Sequence, residues 1–278
     1  MKPDEKLLRD FYKILDSEAP PGRKKEQVVQ DFLEVHSELI PILNSSNYAL
    51  QFRSVISKFR LSPAFETDYV YITKNSARWD VNFVELESPD KAIFTSNLKE
   101  PTTSADSNAA VGQVRCWRVH VEANKSETIQ KLRPLLLPPA MTENPIRFHY
   151  QLIIGRSANK NLGLDRKQHF DQICRDTGLD ILTYDQLADI YVGGPRIIKN
   201  VLRQSKNRYA FKSTARGLEN VLSQAGPGLI DLSKAQCLSL KEDGYDIDSW
   251  LKGELLGLNG KEPIRNWRRR AQSSQRSQ

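Results

Sequence analysis

The chain has few of the residues that cross-link a protein or bind soft metals. Its three cysteines stand far apart, at Cys116, Cys174 and Cys237, and its four histidines show no ligand spacing. This number and spacing fit neither a disulfide framework nor a zinc site. A reducing, cytoplasmic location is therefore expected.

Long apolar runs and nucleotide-binding or hydrolase signatures are also missing. No run approaches the length of a membrane span, and residues 1–9 lack the apolar centre of a signal peptide. No membrane partner is expected. The chain has no G-x-S-x-G motif, and the glycine-containing segment 155–163 lacks the Walker pattern. With 39% hydrophobic residues, it can still build a substantial core.

Positive charge is concentrated at the end of the chain. Residues 261–278 hold six basic residues and one acidic residue, so they carry five of the seven net positive charges. Arg268, Arg269 and Arg270 in this tail are candidates for binding nucleic-acid phosphates, with a solvated, frayed terminus as the alternative. Arg156 and Lys160 are further candidates, with a solvated loop as the alternative.

Hydrophobic periodicity predicts an α/β fold. Helices are predicted over residues 1–17, 24–40, 108–123 and 162–177 and from Tyr184 onward, and strands over 68–73, 80–87, 148–155 and 179–183. The polar segment 74–78 makes a hairpin of the first two strands. The later strand–helix–strand order indicates a parallel crossover, and thus a mixed sheet flanked by helices.

The predicted organisation has four parts. An N-terminal helix (residues 1–20) precedes the main domain (24–191), a helical C-terminal extension (192–258) and a basic flexible tail (259–278). Short helices are predicted in the extension at residues 197–203, 215–223 and 248–256. The loop 90–107 is predicted to be a mobile flap beside a site.

The sequence DVNFVELESP at residues 80–89 contains the most informative pattern. Glu85 and Glu87 are two apart in a predicted strand and so point to the same face, where a bound cation would offset their repulsion. Asp68 and Glu85 are the predicted Mg²⁺ or Mn²⁺ ligands, with the Leu86 carbonyl as a third. Glu87 would position or deprotonate water, and Gln113 would orient water or a phosphate.

Two alternatives weigh against this site. An E-x-E pair is common on the solvated face of a half-buried strand, where it carries no chemistry. Asp80 is a rival to Asp68 as the ligand. However, Asp80 precedes Glu85 by five residues, so strand alternation points the two side chains to opposite faces.

Several segments together resemble the Shedu anti-phage defence family. They are FVELESPDKAIFT (83–95), QVRCW (113–117), LIIGR (152–156), LTYDQL (182–187) and the upstream DFLEVHSELI (31–40). The resemblance covers roughly residues 24–190. It implies a PD-(D/E)xK-type, restriction-endonuclease-like core in the main domain.

The resemblance also implies roles for individual residues. Asp68 matches the first acid of the motif, Glu85 the second, and Gln113 the glutamine of the following helix, while Glu34 matches an acid from the first core helix. Glu87 stands where the motif usually has lysine. A second metal or another basic side chain must then stabilise the developing negative charge.

The function predicted on this basis is that of a metal-dependent DNA endonuclease of a bacterial anti-phage defence system. The alternative is a catalytically silent, nuclease-like protein that binds nucleic acid or serves as a regulatory scaffold. The family also implies assembly into a homo-oligomer and activation by a phage-derived trigger.

Overall fold

A mixed eight-stranded sheet with helices against it forms the core of the protein in a computed structural model, which describes residues 2–43, 49–97, 99–215 and 217–264. The strands are β1 (Ala49–Arg60), β2 (Glu66–Lys74), β3 (Trp79–Leu86), β4 (Ile146–Ile153), β5 (Asp180–Leu182), β6 (Asn200–Ser205), β7 (Arg208–Ser213) and β8 (Ile230–Asp231). The helices are α1 (Glu5–Asp16), α2 (Lys25–Val35), α3 (Ala105–Ala123), α4 (Lys125–Leu132), α5 (Ser157–Lys160), α6 (Leu164–Thr177), α7 (Tyr184–Gly193), α8 (Glu219–Leu222), α9 (Lys234–Glu242) and α10 (Ile247–Leu251).

The strand order across the sheet is β5-β4-β3-β2-β1-β6-β7-β8. Strands β1, β2 and β3 run antiparallel, while β4 lies parallel to β3 and β5 parallel to β4. The predicted hairpin and the predicted parallel crossover are both confirmed, as is the mixed α/β class. None of the helices in the described ranges is long and apolar enough to cross a membrane.

Strand β3 lies in the middle of the protein and is covered on both faces. Phe83 packs in one apolar cluster with Trp117 of α3, and Val84 packs in the other with Phe11 of α1 and Val29 of α2. All eight residues of β3 are buried as a result. This double burial explains why the strand reads as a nearly continuous apolar run, and it makes an acid within it costly.

Helix α3 begins at Ala105, three residues before the predicted start, and presents the expected face to the core. The Ser104 hydroxyl caps it by accepting a hydrogen bond from the Ser107 N–H at 3.0 Å. Ala110, Val114, Trp117 and Val121 are buried, as predicted. The same packing holds Gln113 near the end of β3.

The predicted flap is anchored over much of its described length. Phe94 is fully buried, and its N–H donates to Asn159 Oδ1 at 2.8 Å. The Arg166 guanidinium donates to the Thr95 carbonyl at 2.6 Å. The loop contains an apolar residue that must be buried, so it packs onto α5 and α6 instead of standing free.

Residues 197–203 are not helical as predicted, because they lead into and form part of β6. This strand pairs parallel to β1, with Ser54 opposite Asn200 and Ser57 opposite Arg203. Val201 and Leu202 are adjacent and pack on opposite faces of the sheet. A short apolar pair of this kind gives no period that separates a strand from a helix.

The predicted helical extension (192–258) consequently contributes three strands to the main sheet as well as short helices. Its predicted helices at 215–223 and 248–256 are reduced to α8 and α10. The chain after residue 192 therefore completes the sheet on the β1 side.

Candidate active site at the end of strand β3

Asp68 and Glu85 lie next to each other on β2 and β3. The register pairs Tyr69 with Val84, so the following cross-strand neighbours are Asp68 and Glu85. Each residue is only 8% exposed. Asp68 Oδ2 also accepts a hydrogen bond from the Leu86 N–H at 2.7 Å. The structure thus brings together the two acids that the sequence selected.

Lys58 of β1 supplies a positive charge to this pair. Its Nζ lies 2.5 Å from Asp68 Oδ1. The pairing of Ser57 with Tyr69 puts Lys58 beside Asp68, and its φ of 53° places it in the left-handed region in mid-strand. Sequence pattern does not reveal Lys58, because residues 48–59 have no clear period and the contact depends on the register of β1 against β2.

Glu87 has a lysine partner of its own. It is 8% exposed, and Lys91 Nζ lies 2.5 Å from Glu87 Oε2. The Tyr184 hydroxyl donates to the Glu87 carbonyl at 2.7 Å. The turn that carries Lys91 packs against Gly155, where a Cβ would lie 2.4 Å from the Lys91 carbonyl oxygen. Glycine at this position permits that close approach.

Gln113 reaches the site from α3, as the sequence predicts for an amide near the acids. Its Nε2 donates to Glu85 Oε1 in a short hydrogen bond. This contact orients the Glu85 carboxyl group toward Asp68. Strand, strand and helix therefore each supply one predicted side chain to one place.

The electrostatics of the site are set by burial first and by the crowding of acids second. Burial raises the pKa of Glu85 to about 10, and the charges of Asp68 and Glu87 add to the rise. Burial lowers the pKa of Lys58, but the charge of Asp68 and the hydrogen bond to it outweigh burial and shift it upward. Without a bound metal ion, Glu85 therefore holds a proton at neutral pH while Lys58 stays charged.

The donor atoms suit a hard divalent cation, although the site has few protein ligands. Among the described residues, no group of three or more His, Cys, Asp or Glu side chains is arranged to hold a metal ion. Mg²⁺ is often held by only one or two carboxylates and keeps several waters, so Asp68 and Glu85 fit that requirement. Such an ion would displace the proton of Glu85 and would compete with Lys58 for Asp68.

Other acids considered from the sequence have different partners. Asp80 lies at the opposite end of β3, 3.0 Å from Arg78 Nε and 2.8 Å from His149 Nε2. Glu34 is buried on α2 and is bonded to the Ser57 hydroxyl and to Lys212. Neither acid has a hydrogen bond or ion pair with Asp68 or Glu85.

Of the five predicted phosphate-binding residues, two lie in the described part of the chain. Arg156 donates to Asp185 Oδ1 at 3.0 Å and is also paired with Asp16, so two carboxylates occupy its guanidinium. Lys160 Nζ lies 4.8 Å from the centre of the Phe170 ring, and burial lowers its pKa. The three arginines of the tail, at 268–270, lie outside the described residues.

The fold and the site together define an α/β protein with a buried pair of carboxylates at the end of a central strand. A family model described as Shedu protein SduA, C-terminal, matches residues 23–188. The match spans more than half of the 278 residues, so the chain belongs to the Shedu family, and the resemblance noted in the sequence is confirmed. Membership of this family supports a role in anti-phage defence. No curated protein gives a significant match.

Proposed function

We propose that the chain is a metal-dependent DNA endonuclease of a phage-defence system, which hydrolyses phosphodiester bonds. The observation that carries this proposal is the pairing of buried Asp68 on β2 with Glu85 on β3, a strand that is buried along its whole length. Two facing carboxylates in such a place are expensive unless a cation is bound there during function.

The arrangement of elements supports a PD-(D/E)xK-like core as part of the proposal. Such a core is expected to be a mixed sheet flanked by helices, with its functional side chains on strand, strand and helix. Asp68 on β2, Glu85 on β3 and Gln113 on α3 follow that order. The departure at Glu87 is offset by Lys58, which brings an ammonium group from β1 to Asp68 of the acidic pair.

Each side chain then has a role that follows from its contacts. Bound Mg²⁺ or Mn²⁺ would lower the pKa of a water ligand and polarise the phosphoryl oxygen. Asp68 and Glu85 would hold the ion, with the Leu86 carbonyl as the proposed third ligand, and Gln113 keeps Glu85 oriented. Lys58 offers positive charge where negative charge develops on the phosphate. Glu87, held by Lys91, is the acceptor for a proton of the attacking water.

The test is cleavage of plasmid DNA in Mg²⁺ or Mn²⁺, with EDTA as the blank. Glu85→Gln keeps the shape of the side chain and mimics its protonated form, so the fold should be retained. We expect Glu85→Gln to reduce cleavage by at least about 10²–10³-fold. Asp80→Asn is the matched control, since it neutralises a buried acid on the same strand, and it should cleave as the wild type does.

Cleavage by Glu85→Gln at the wild-type rate would overturn the assignment of the site. Cleavage that persists in EDTA would overturn its dependence on metal.

A second candidate function is a catalytically silent, DNA-binding or regulatory protein. The observation that favours it is that Lys58 and Lys91 already pair with Asp68 and Glu87, so the acids are partly neutralised without metal. It predicts DNA binding in EDTA and no nicking under any metal. Assembly into a homo-oligomer and a phage-derived trigger remain proposals drawn from the family.

A further inference from the structure

A basic groove lies directly beside the acidic pair. It is an open depression of about 550 Å³ between β1, β6 and α4. Its charged lining comprises Lys58, Arg60, Glu66, Lys131, Arg203 and Lys206. Five cations thus face one carboxylate, although most of the excess positive charge of the sequence lies in the tail.

The cations of this basic groove differ in what they already bind. Lys131 donates to the Leu61 carbonyl at 2.6 Å and pairs with Glu127, and Arg60 lies 3.8 Å from Glu66. The side chains of Arg203 and Lys206 belong to exposed residues and have no hydrogen bond or ion pair with the described part of the chain. Two positive charges in the groove are therefore available to an external anion.

Backbone conformation also singles out this groove. Four non-glycine residues in the described ranges have positive φ, and two of them, Lys58 at 53° and Lys206 at 55°, line the groove. A lysine in this conformation costs free energy that glycine or asparagine would largely avoid. Lys206 occupies the turn between β6 and β7, where a less strained residue would serve the fold equally well.

The chemistry of the lining indicates which polyanion fits. Pro63 is the only apolar residue that lines the groove within the described chain, and no aromatic ring is present there. Stacking of unpaired bases needs aromatic side chains, and a protein partner usually needs an apolar anchor. Phosphates need only positive charge and hydrogen-bond donors, which this groove provides.

We propose that the basic groove binds the phosphate backbone of duplex DNA and leads it to the Asp68–Glu85 pair. Lys58 belongs to both sites, because it lines the groove and holds Asp68. Arg203 and Lys206 make the contacts that position the backbone. The proposal extends the proposed nuclease function by naming its DNA-binding surface, but binding is measured without cleavage.

The test is binding of a short fluorescent DNA duplex in EDTA, followed by anisotropy between about 50 and 200 mM salt. The variant combines Arg203→Gln with Lys206→Asn, since asparagine tolerates the left-handed conformation. Losing two phosphate contacts should lower the slope of log K against log salt by about 1.8, and affinity about 30-fold at 0.15 M salt. The loss should be equal for two unrelated duplex sequences.

The control combines Lys234→Gln with Lys252→Gln, which removes the same charge from exposed sites in α9 and just after α10. It should bind as the wild type does. Unchanged binding by the groove variant, or an equal loss in both variants, would overturn the proposal. Preference of the wild type for polyglutamate over the duplex would also overturn it, in favour of an acidic protein partner.

The proposal for the groove and the proposal for the nuclease can be rejected independently. Binding that depends on Arg203 and Lys206, without cleavage in Mg²⁺, would keep the groove and reject the nuclease. Metal-dependent cleavage that is indifferent to both residues would keep the nuclease and reject the groove.

Discussion

Strand β3 has a buried acid at each of its ends, and the two ends differ in charge balance. At the start of the strand, Asp80 is enclosed by Arg78 and His149, at 3.0 and 2.8 Å. At the other end, Asp68 and Glu85 face each other, and Lys58 bonds only to Asp68. The first arrangement is compensated within the fold, while the second has one carboxyl group more than Lys58 can balance, so Glu85 keeps its proton.

Under the proposed function, this difference separates a structural acid from a functional one. A single buried carboxylate with one cationic partner and a second hydrogen bond satisfies the fold and needs nothing further. A buried pair raises the pKa of one member, here Glu85, to about 10, and so gives up stability that binding of a cation would restore. A second carboxyl group without a cation of its own, and not burial alone, distinguishes this end of β3.

The test with the largest expected effect removes one cation from each end of β3. Lys58→Met should lower metal-dependent cleavage by about 10²–10³-fold, since the positive charge beside the reacting phosphate is lost. Arg78→Met should leave cleavage almost unchanged and lower the free energy of unfolding by about 1–3 kcal/mol, because Asp80 loses a partner. Cleavage rates measure the first effect and urea denaturation measures the second, and both are determined for both variants.

Equal loss of cleavage in the Lys58→Met and Arg78→Met variants would show that both ends act on the fold alone. Full activity of Lys58→Met would remove Lys58 from the proposed chemistry.

A second test uses the pH dependence of stability without metal. The pKa of Glu85 rises from 4.5 to about 10 on folding, so between these values the native state holds one more proton than the unfolded state. The contribution is complete below pH 4.5 and is lost as pH rises toward 10. We expect the free energy of unfolding to fall with pH by up to about 1.4 kcal/mol per unit.

Glu85→Gln should flatten this part of the pH profile, because glutamine does not titrate, whereas Asp80→Asn should retain the slope. Denaturant unfolding across the pH range measures both variants. Parallel profiles for wild type and Glu85→Gln would contradict a protonated Glu85.

The smallest expected effect is stabilisation by the cation itself. Mg²⁺ at about ten times its Kd should stabilise the wild type by about 1.4 kcal/mol, and the Tm should rise accordingly. Because Glu85 must lose its proton to bind, the shift should grow with pH. Asp80→Asn should show the same rise in Tm and Glu85→Gln none; an equal rise in Glu85→Gln would place the ion elsewhere.

Much of the central sheet and its helices was predictable from local pattern. The apolar face of α3 repeats through Ala110, Val114, Trp117 and Val121, and each is buried. The hairpin of β2 and β3 was predictable because a short polar turn separates two runs of strand-forming residues. The pairing of β1 with β6 was harder to predict, because the two strands are far apart in the chain and their short apolar runs have no clear period.

Prediction of the candidate site from local sequence is limited in the same way. Asp68, Glu85 and Gln113 could be selected because alternation and the resemblance to the Shedu family point to them. Lys58 could not, because its contact with Asp68 depends on the register of β1 against β2. Arg203 and Lys206 likewise come near Lys58 only because β6 pairs with β1.

The sequence by itself determined the α/β class and the order of the acids, because strand alternation and helical period act over a few residues. It also determined the family, because several short segments carry the resemblance. Only the tertiary structure decided which cations meet those acids and where a basic groove forms. Electrostatic interactions depend on distances of a few ångströms, and strand pairing sets those distances both for Lys58 and Asp68 on adjacent strands and for Lys58 and Arg203, which are far apart in the chain.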